Sequence, residues 1–272
     1  MPEGNDVRQQ QRLDQILATI STQDRISVEE IADLFGTSLA TARRDLSVLT
    51  DQGLVTRTHG GAIAVASAYE LPMAYRIARN AHAKRAIGAT AAALVSAGDV
   101  VGLTGGTTTS ELGRALASRG DLVPKVGTGV TVMTNALNIA YELAIRSHVK
   151  LVLTGGVARS QTFELVGPIA AATLSDVVID VAFVGVDGLD AQCGATTADD
   201  AEAHVNHRML SSARRVVVVA DSTKFDHAAF ARTCSLEEID TLVTDAEPGP
   251  GLAEALARAD VEVIVSGPRG RG

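Results

Sequence analysis

The chain has no tryptophan, and aromatic residues fill only 3 % of its 272 positions. Ala, Val, Leu and Ile must then build the core, and hydrophobic residues at 46 % supply ample material for it. No apolar run approaches the roughly 18 residues of a membrane-spanning helix, so no membrane partner is expected. Cysteine occurs twice, at Cys193 and Cys234. That excludes a disulfide framework, and both are expected to be buried thiols without a role. There is no basic excess either: 24 Lys and Arg face 32 Asp and Glu, for a formal net charge of −8. Taken alone, that balance argues against a nucleic-acid partner. The split by segment gives no relief, because residues 1–65 hold six arginines and nine acids. DNA binding, if claimed, must rest on where charge is placed. The opening stretch MPEGNDVRQQQRLDQ is polar and carries acids, unlike a secretory leader, so a soluble cytoplasmic protein is expected.

Against these absences stand two different rhythms. In the first part, Leu13, Ile16, Leu17 and Ile20 recur at helical spacing. The run SVEEIADLF begins at Ser27 with Glu30 three places on, a capping-box pattern, and Gly36-Thr37 ends it. A third helix is predicted from an N-cap at Ser38 to Gly53, with Ala42, Leu46 and Leu49 facing inward. Then LVTRTHGGAIA alternates around Gly60-Gly61 as a short hairpin. This is the order of a winged helix-turn-helix, assigned to residues 1–63. Its third helix is expected in the major groove. Ser38, Thr41, Arg43 and Arg44 are the candidate DNA-contacting residues there, with Arg57 and His59 on the wing and Arg8 and Arg12 as further phosphate contacts. The competing reading is a small helical domain whose Arg43-Arg44 pair is a solvated face.

Residues 64–83, interrupted by Pro72, read as a linker. From Lys84 the rhythm changes. The runs DVVGL, VTVMT, KLVLT, DVAFVGV, RVVVVA, DTLVT and VEVIV alternate with helical stretches near 84–97, 107–119, 135–147, 167–177, 199–213 and 251–259. Doubly buried strands separated by helices predict an open, mostly parallel α/β sheet over 84–265, followed by a flexible tail at 266–272. Polar, glycine-rich segments follow several strands, and the carboxyl ends of such strands are where ligands bind. One of them is LTGGTTTSEL, residues 103–112. Its glycines let backbone approach a phosphate, its threonines offer hydroxyls, and a helix N-terminus follows. It lacks the Gly-Lys-Ser/Thr ending of a nucleotide-triphosphatase loop, and GTGVTV at 127–132 is not a dinucleotide fingerprint. A tight turn with capping threonines is the plain alternative. His204 and His207 have metal-ligand spacing but no third ligand, so no metal and no cofactor are expected.

The stretch Ser38-Leu39-Ala40-Thr41-Ala42-Arg43-Arg44-Asp45-Leu46, then Gly53-Leu54 and Arg57-Thr58-His59-Gly60-Gly61-Ala62, resembles the DeoR family of bacterial transcriptional regulators. The likeness continues through Glu70-Leu71-Pro72, Arg76, Asn80 and Lys84 and extends to about Ala246. It implies operator DNA as a partner and a C-terminal domain similar in fold to ribose-5-phosphate isomerase and sugar-phosphate deaminases, sensing a small phosphorylated sugar or related metabolite. By that resemblance Gly106, Thr107, Thr108 and Thr109 hold phosphate, and Thr134 and Asn135 line the next strand end. Arg159 matches the family's G-G-x-x-R segment, Asp187 its G-A-D-G segment, Glu202 the acid of its E-A helix and Lys224 the lysine of D-S-S-K-F. Lys224 would pair with the ligand, while Asp187 and Glu202 would accept its hydroxyls. One departure stands out: the family loop reads L-D-S-G-T-T-T, and Thr104 and Gly105 replace its Asp and Ser. The expectation is a homo-oligomeric, sugar-phosphate-controlled repressor. The alternative is a sugar-phosphate isomerase or deaminase with an appended domain.

Overall fold

The structure, a computed structural model, describes residues 25–51, 54–64, 79–123 and 129–267, together with Gln9, Arg12, Leu13, Gln15, Ile16, Leu17, Thr19, Ile20, Gln23 and Arg76. The chain forms two compact units, Met1–Ala81 and His82–Gly272. Most of the expected linker at 64–83, and residues 268–272 of the expected tail, lie outside the described residues, as do Arg8 and Gly53.

In the first unit, Leu13, Ile16, Leu17 and Ile20 are helical and buried, as their spacing predicts. Strand β1 (Arg25–Ser27) leads into helix α1 (Val28–Phe35). The capping box is made in full: Ser27 Oγ accepts from Glu30 N at 3.0 Å, and Glu30 Oε2 accepts from Ser27 N at 2.7 Å. Two otherwise orphaned donors are thereby satisfied, a contribution of about 1 kcal/mol. Gly36 ends α1 in the left-handed region at φ 58°. Helix α2 (Leu39–Asp51) follows, and β2 (Val55–Arg57) and β3 (Gly61–Ala64) form the expected hairpin. Strand β1 adds to it, in the order β1-β3-β2. Gly61 has to be glycine, since a Cβ there would sit 2.0 Å from the Ile26 carbonyl oxygen on the paired strand.

The second unit is an α/β/α sandwich. Helix α3 (Ala81–Ala92) opens it, starting three residues before the predicted boundary. Strands β4 (Val100–Leu103), β5 (Val130–Thr134) and β6 (Val149–Leu153) alternate with helices α4 (Thr107–Ala117) and α5 (Leu137–Leu143). A two-stranded ribbon, β7 (Val157–Ala158) with β8 (Leu165–Val166), and helix α6 (Pro168–Thr173) lead to β9 (Val181–Gly185). Next come β10 (Gly188–Asp190), β11 (Gly194–Thr197), α7 (Asp200–Ser211), β12 (Val216–Val219), β13 (Ala231–Cys234), β14 (Thr241–Thr244), α8 (Pro250–Arg258) and β15 (Glu262–Val265). The seven apolar runs become one parallel sheet in the order β15-β14-β12-β9-β4-β5-β6. Its five inner strands are buried on both faces because both are covered, while the edge strands β15 and β6 stay partly exposed. Val181, Phe183, Val217 and Val219 pack towards Ile87, Leu112, Leu116 and Leu143. Ala182, Val184, Val216 and Val218 pack towards Val205, Met209, Leu252 and Leu256. A small antiparallel sheet, β10-β11-β13, stands apart.

The strand order fixes where a ligand crevice forms. From β4 the chain moves outward through β5 to β6, then returns to the other side of β4 and continues through β9, β12, β14 and β15. The switch lies between β4 and β9, and their carboxyl ends carry the loops TGGTTT and GVDG.

One expectation fails. Cys234 is buried, its thiol pushed up to about 12 by burial, but Cys193 is exposed. It lies in the turn between β10 and β11, where its N–H donates to Asp190 Oδ1 and its side chain is left at the surface.

Candidate functional site

Helix α2 is built to face two ways. Ala42, Asp45, Leu46 and Leu49 are buried, while Leu39, Ala40, Arg43 and Arg44 are exposed. At its start the Ser38 and Thr41 hydroxyls bond each other at 2.9 Å, and Ser38 Oγ accepts from Thr41 N at 3.1 Å. Both side chains thus hold the end of the helix. Asp45 is the surprise. It is fully buried and takes two bonds from Arg12, at 2.6 and 3.1 Å. Arg12, expected at phosphate, is therefore engaged inside the unit and ties the first helix to α2. The motif R-R-D-L divides by face, with its arginines outward and its acid inward. Arg57 also turns back, donating to Arg43 O at 3.2 Å and Ser47 Oγ at 2.6 Å. It fastens the wing to α2. His59 stays exposed in the hairpin turn. Asp45→Ala is expected to lower the stability of this unit by about 2 kcal/mol, since it strands a partly buried guanidinium. Chemical denaturation followed by circular dichroism measures it, and an unchanged midpoint would remove the structural role assigned to Asp45.

In the second unit, the β4–α4 loop lies at the strand switch. Gly106 precedes α4 at φ 124°, a conformation that favours glycine. The amides of the first turn of α4 begin there, beside Thr107, which is half-buried. Thr108 and Thr109 are buried, and Thr109 Oγ1 donates to Gly106 O at 3.0 Å. Thr104 is buried too and accepts from Gly185 N at 3.1 Å, which stitches β4 to β9 at the crevice. A neutral hydroxyl thus does the bridging where the family loop carries a carboxylate.

Around this loop the structure gathers the other predicted residues into two polar clusters. In one, Lys224 Nζ lies 3.9 Å from Asp187 Oδ1, while Asp187 Oδ2 accepts from Thr197 Oγ1 and Ala198 N, each at 3.0 Å. In the other, Arg159 bonds Glu202 at 2.8 Å and Asp199 at 2.7 Å. Glu202, on α7, also accepts from Thr162 Oγ1 at 2.6 Å. Asn135 donates Nδ2 to Glu164 at 3.0 Å and to Asn206 at 3.1 Å. Thr134 Oγ1 accepts from Ala136 N and shapes the turn. Burial, then the neighbouring Glu202 carboxylate, push the Glu164 acid up to about 8. Glu202 is also raised, chiefly by burial, against the pull of Thr162 and Arg159. Burial thus favours the protonated form of Glu164.

Glu164, Thr162, Asp199 and Asn206 belong to this cluster and were missed by sequence reasoning. Asn206 was legible in principle, one helical turn beyond Glu202 on the same face. Asp199 was legible as the N-cap of α7, where it accepts from Ala201 N and Glu202 N. Among the described residues no group of His, Cys, Asp and Glu side chains could hold a metal ion, and no helix is long and apolar enough to cross a membrane. His207 Nδ1 lies 3.0 Å from Thr233 O, a local contact of α7 with β13.

Comparison with known proteins matches both units. The DeoR-like helix-turn-helix domain matches residues 12–68, and the DeoR C terminal sensor domain matches residues 79–246. Over nearly its full length the chain is similar to the HTH-type transcriptional regulator GlpR of Haloferax volcanii, at 37 % identity over 93 % of this chain and 96 % of that one. It is similar to the glycerol-3-phosphate regulon repressor of Escherichia coli K12 at 27 % identity, over 94 % of this chain and 99 % of that one. A ribose 5-phosphate isomerase A from Methanocaldococcus jannaschii superposes with a TM-score of 0.39, at 19 % identity, over 54 % of this chain and 55 % of that one, a likeness too slight to carry weight.

Proposed function

Because the chain belongs to the DeoR family of transcriptional regulators, we propose that it represses genes of sugar metabolism and is controlled by a phosphorylated sugar or related metabolite bound at the β4/β9 crevice. The observation that carries this reading is the union, in one chain, of a helix-turn-helix unit with a sensor unit. The chain is a regulator and not an enzyme, in keeping with its relatives. An isomerase would have no use for a winged helix, although Asp187, Glu202 and Lys224 are acid/base-capable groups. Residues 1–63 read double-stranded operator DNA through Arg43 and Arg44, with His59 at the wing and Arg57 bracing the wing against α2. Residues 84–265 take the effector, its phosphate on the amides and hydroxyls of Gly106, Thr107, Thr108 and Thr109. Arg159, Asp187, Glu202 and Lys224 surround the remainder, next to Thr134 and Asn135.

The mechanism is linkage. A ligand that binds two arrangements of the protein unequally biases the spacing of the reading helices, and so the affinity for DNA. One unit offers few cations to DNA, so at least two copies act together on repeated or inverted half-sites in the cytoplasm. The test pairs a thermal-shift screen with a turnover assay, using pentose, hexose and polyol phosphates. The active compound is expected to raise the melting temperature by a few degrees without being consumed, and to release a labelled operator. Turnover of any of them would overturn the regulator reading in favour of the isomerase or deaminase.

A further inference from the structure

Gly105 and Gly106 are adjacent glycines with different reasons to be glycine. Gly106 needs its positive φ, whereas Gly105 is not among the residues with positive φ. What requires glycine at 105 is Glu164: a Cβ there would lie 2.2 Å from Glu164 Cγ and 2.4 Å from Oε1. The side chain of Glu164 rests directly on the loop backbone, in the room that any side chain at position 105 would fill. It is buried, and its Oε2 accepts from Asn135 Nδ2. The same Nδ2 reaches Asn206 Oδ1. The amide of Asn135 is thus held by its nitrogen. Its other end, Oδ1, is buried and has no hydrogen-bond partner among the described residues, an expensive arrangement for a carbonyl oxygen.

We infer that Glu164, seated on Gly105, is a positioning residue that fixes the Asn135 amide so that Oδ1 accepts a hydroxyl of the effector's carbon chain, and that the pocket therefore selects a phosphorylated polyol or open-chain sugar. The inference rests on the reading that the effector phosphate sits on the β4–α4 loop. The chemistry is directional. An amide oxygen takes a hydroxyl donor and offers nothing to a carboxylate, and the acids Glu202 and Asp187, which both act on Glu164, disfavour a second anion. Glu164 suits the task because burial favours its neutral form, so that holding Asn135 adds little charge where an anionic ligand must enter. Arg159 is already taken by Glu202 and Asp199, and Lys224 lies beside Asp187.

Calorimetric titration of the full chain at pH 7 with inorganic phosphate, sorbitol 6-phosphate and 6-phosphogluconate tests it. Wild-type protein is expected to bind sorbitol 6-phosphate at least about tenfold more tightly than either of the others, the worth of one buried hydrogen bond. E164A frees the Asn135 amide and is expected to remove that preference while leaving inorganic phosphate unchanged. G105S, which evicts Glu164 from its seat, should likewise lose the preference for sorbitol 6-phosphate over 6-phosphogluconate. E164Q keeps an oxygen for Asn135 Nδ2 and should retain the preference. Equal losses for phosphate and sorbitol 6-phosphate in E164A would mean that Glu164 only supports the fold. A wild-type protein that binds all three alike, or prefers 6-phosphogluconate, would overturn the inference. Failure to bind inorganic phosphate at all would instead sink the phosphate-loop reading beneath it.

Discussion

Alanine at both Arg43 and Arg44 lowers operator affinity by about a hundredfold to ten-thousandfold, while the melting temperature and effector binding stay as in the parent. The size follows from two arginines, each worth about 1–3 kcal/mol at a guanine edge, reckoned over a single half-site. The specificity of the effect follows from the placement of these side chains. Both are exposed on the face of α2 opposite Ala42, Leu46 and Leu49, so their removal opens no cavity. The backbone oxygen of Arg43, which accepts from Arg57 and from Ser47 Oγ, survives the substitution. The single variants separate the two roles. A base-reading arginine, once lost, relaxes preference at one operator position, while a phosphate-binding one weakens all sequences alike and flattens the salt dependence by about one phosphate per subunit. Fluorescence anisotropy with a labelled operator across a salt series measures both. Unchanged affinity in the double variant would remove α2 as the reading helix.

The net charge of −8 gives this prediction its weight. With nine acids among residues 1–65, attraction to DNA rests on a few well-placed cations and not on a general basic surface. The structure lowers their number further, since Arg12 is bound to Asp45 and Arg57 is turned onto α2. Fewer cations mean that each one counts for more.

How far the sequence reveals this arrangement depends on the range of the interaction. The parallel strands were legible because runs such as RVVVVA and DVAFVGV are apolar on both faces, which is a local property. The capping box of Ser27 and Glu30 spans one turn and was equally legible. Asp45 was not. Its position beside Leu46 places it on the inner face, but the arginine that neutralises it lies 33 residues earlier. Glu164 was hidden for the same reason: its seat on Gly105 joins the ends of two different strands, and no periodicity within either segment announces it. The short strands β10, β11 and β13 escaped because GATT and ARTC carry little apolar signal and are held by pairing with each other. Of the candidate effector residues, motif positions singled out Arg159, Asp187, Glu202 and Lys224. The hydrogen bonds that organise them came only with the fold.

Valine at Gly106 leaves a protein that still binds its operator and no longer responds to effector. The backbone there is at φ 124°, where a β-branched side chain is badly strained, and a Cβ would come within 3.1 Å of Thr109 Oγ1. The first turn of α4 must then rotate, and the amides that face a phosphate turn with it. Helix N-termini bind anions through those amides, so loss of their alignment removes the site and not merely one contact. The strain falls in the second unit, while the reading helix belongs to the first, so operator affinity is retained. A release assay with the effector found by thermal shift is expected to show no dissociation at a hundred times the concentration that releases the parent protein. Lys224→Ala supplies a strain-free control: it removes a cation near Asp187 and is expected to weaken the response about tenfold without abolishing it. If the valine variant released its operator at the parent's effector concentration, the phosphate would have to be bound elsewhere. If it melted with a lost second unit, the lysine variant alone would decide, since a normal response there would also exclude the β4/β9 crevice.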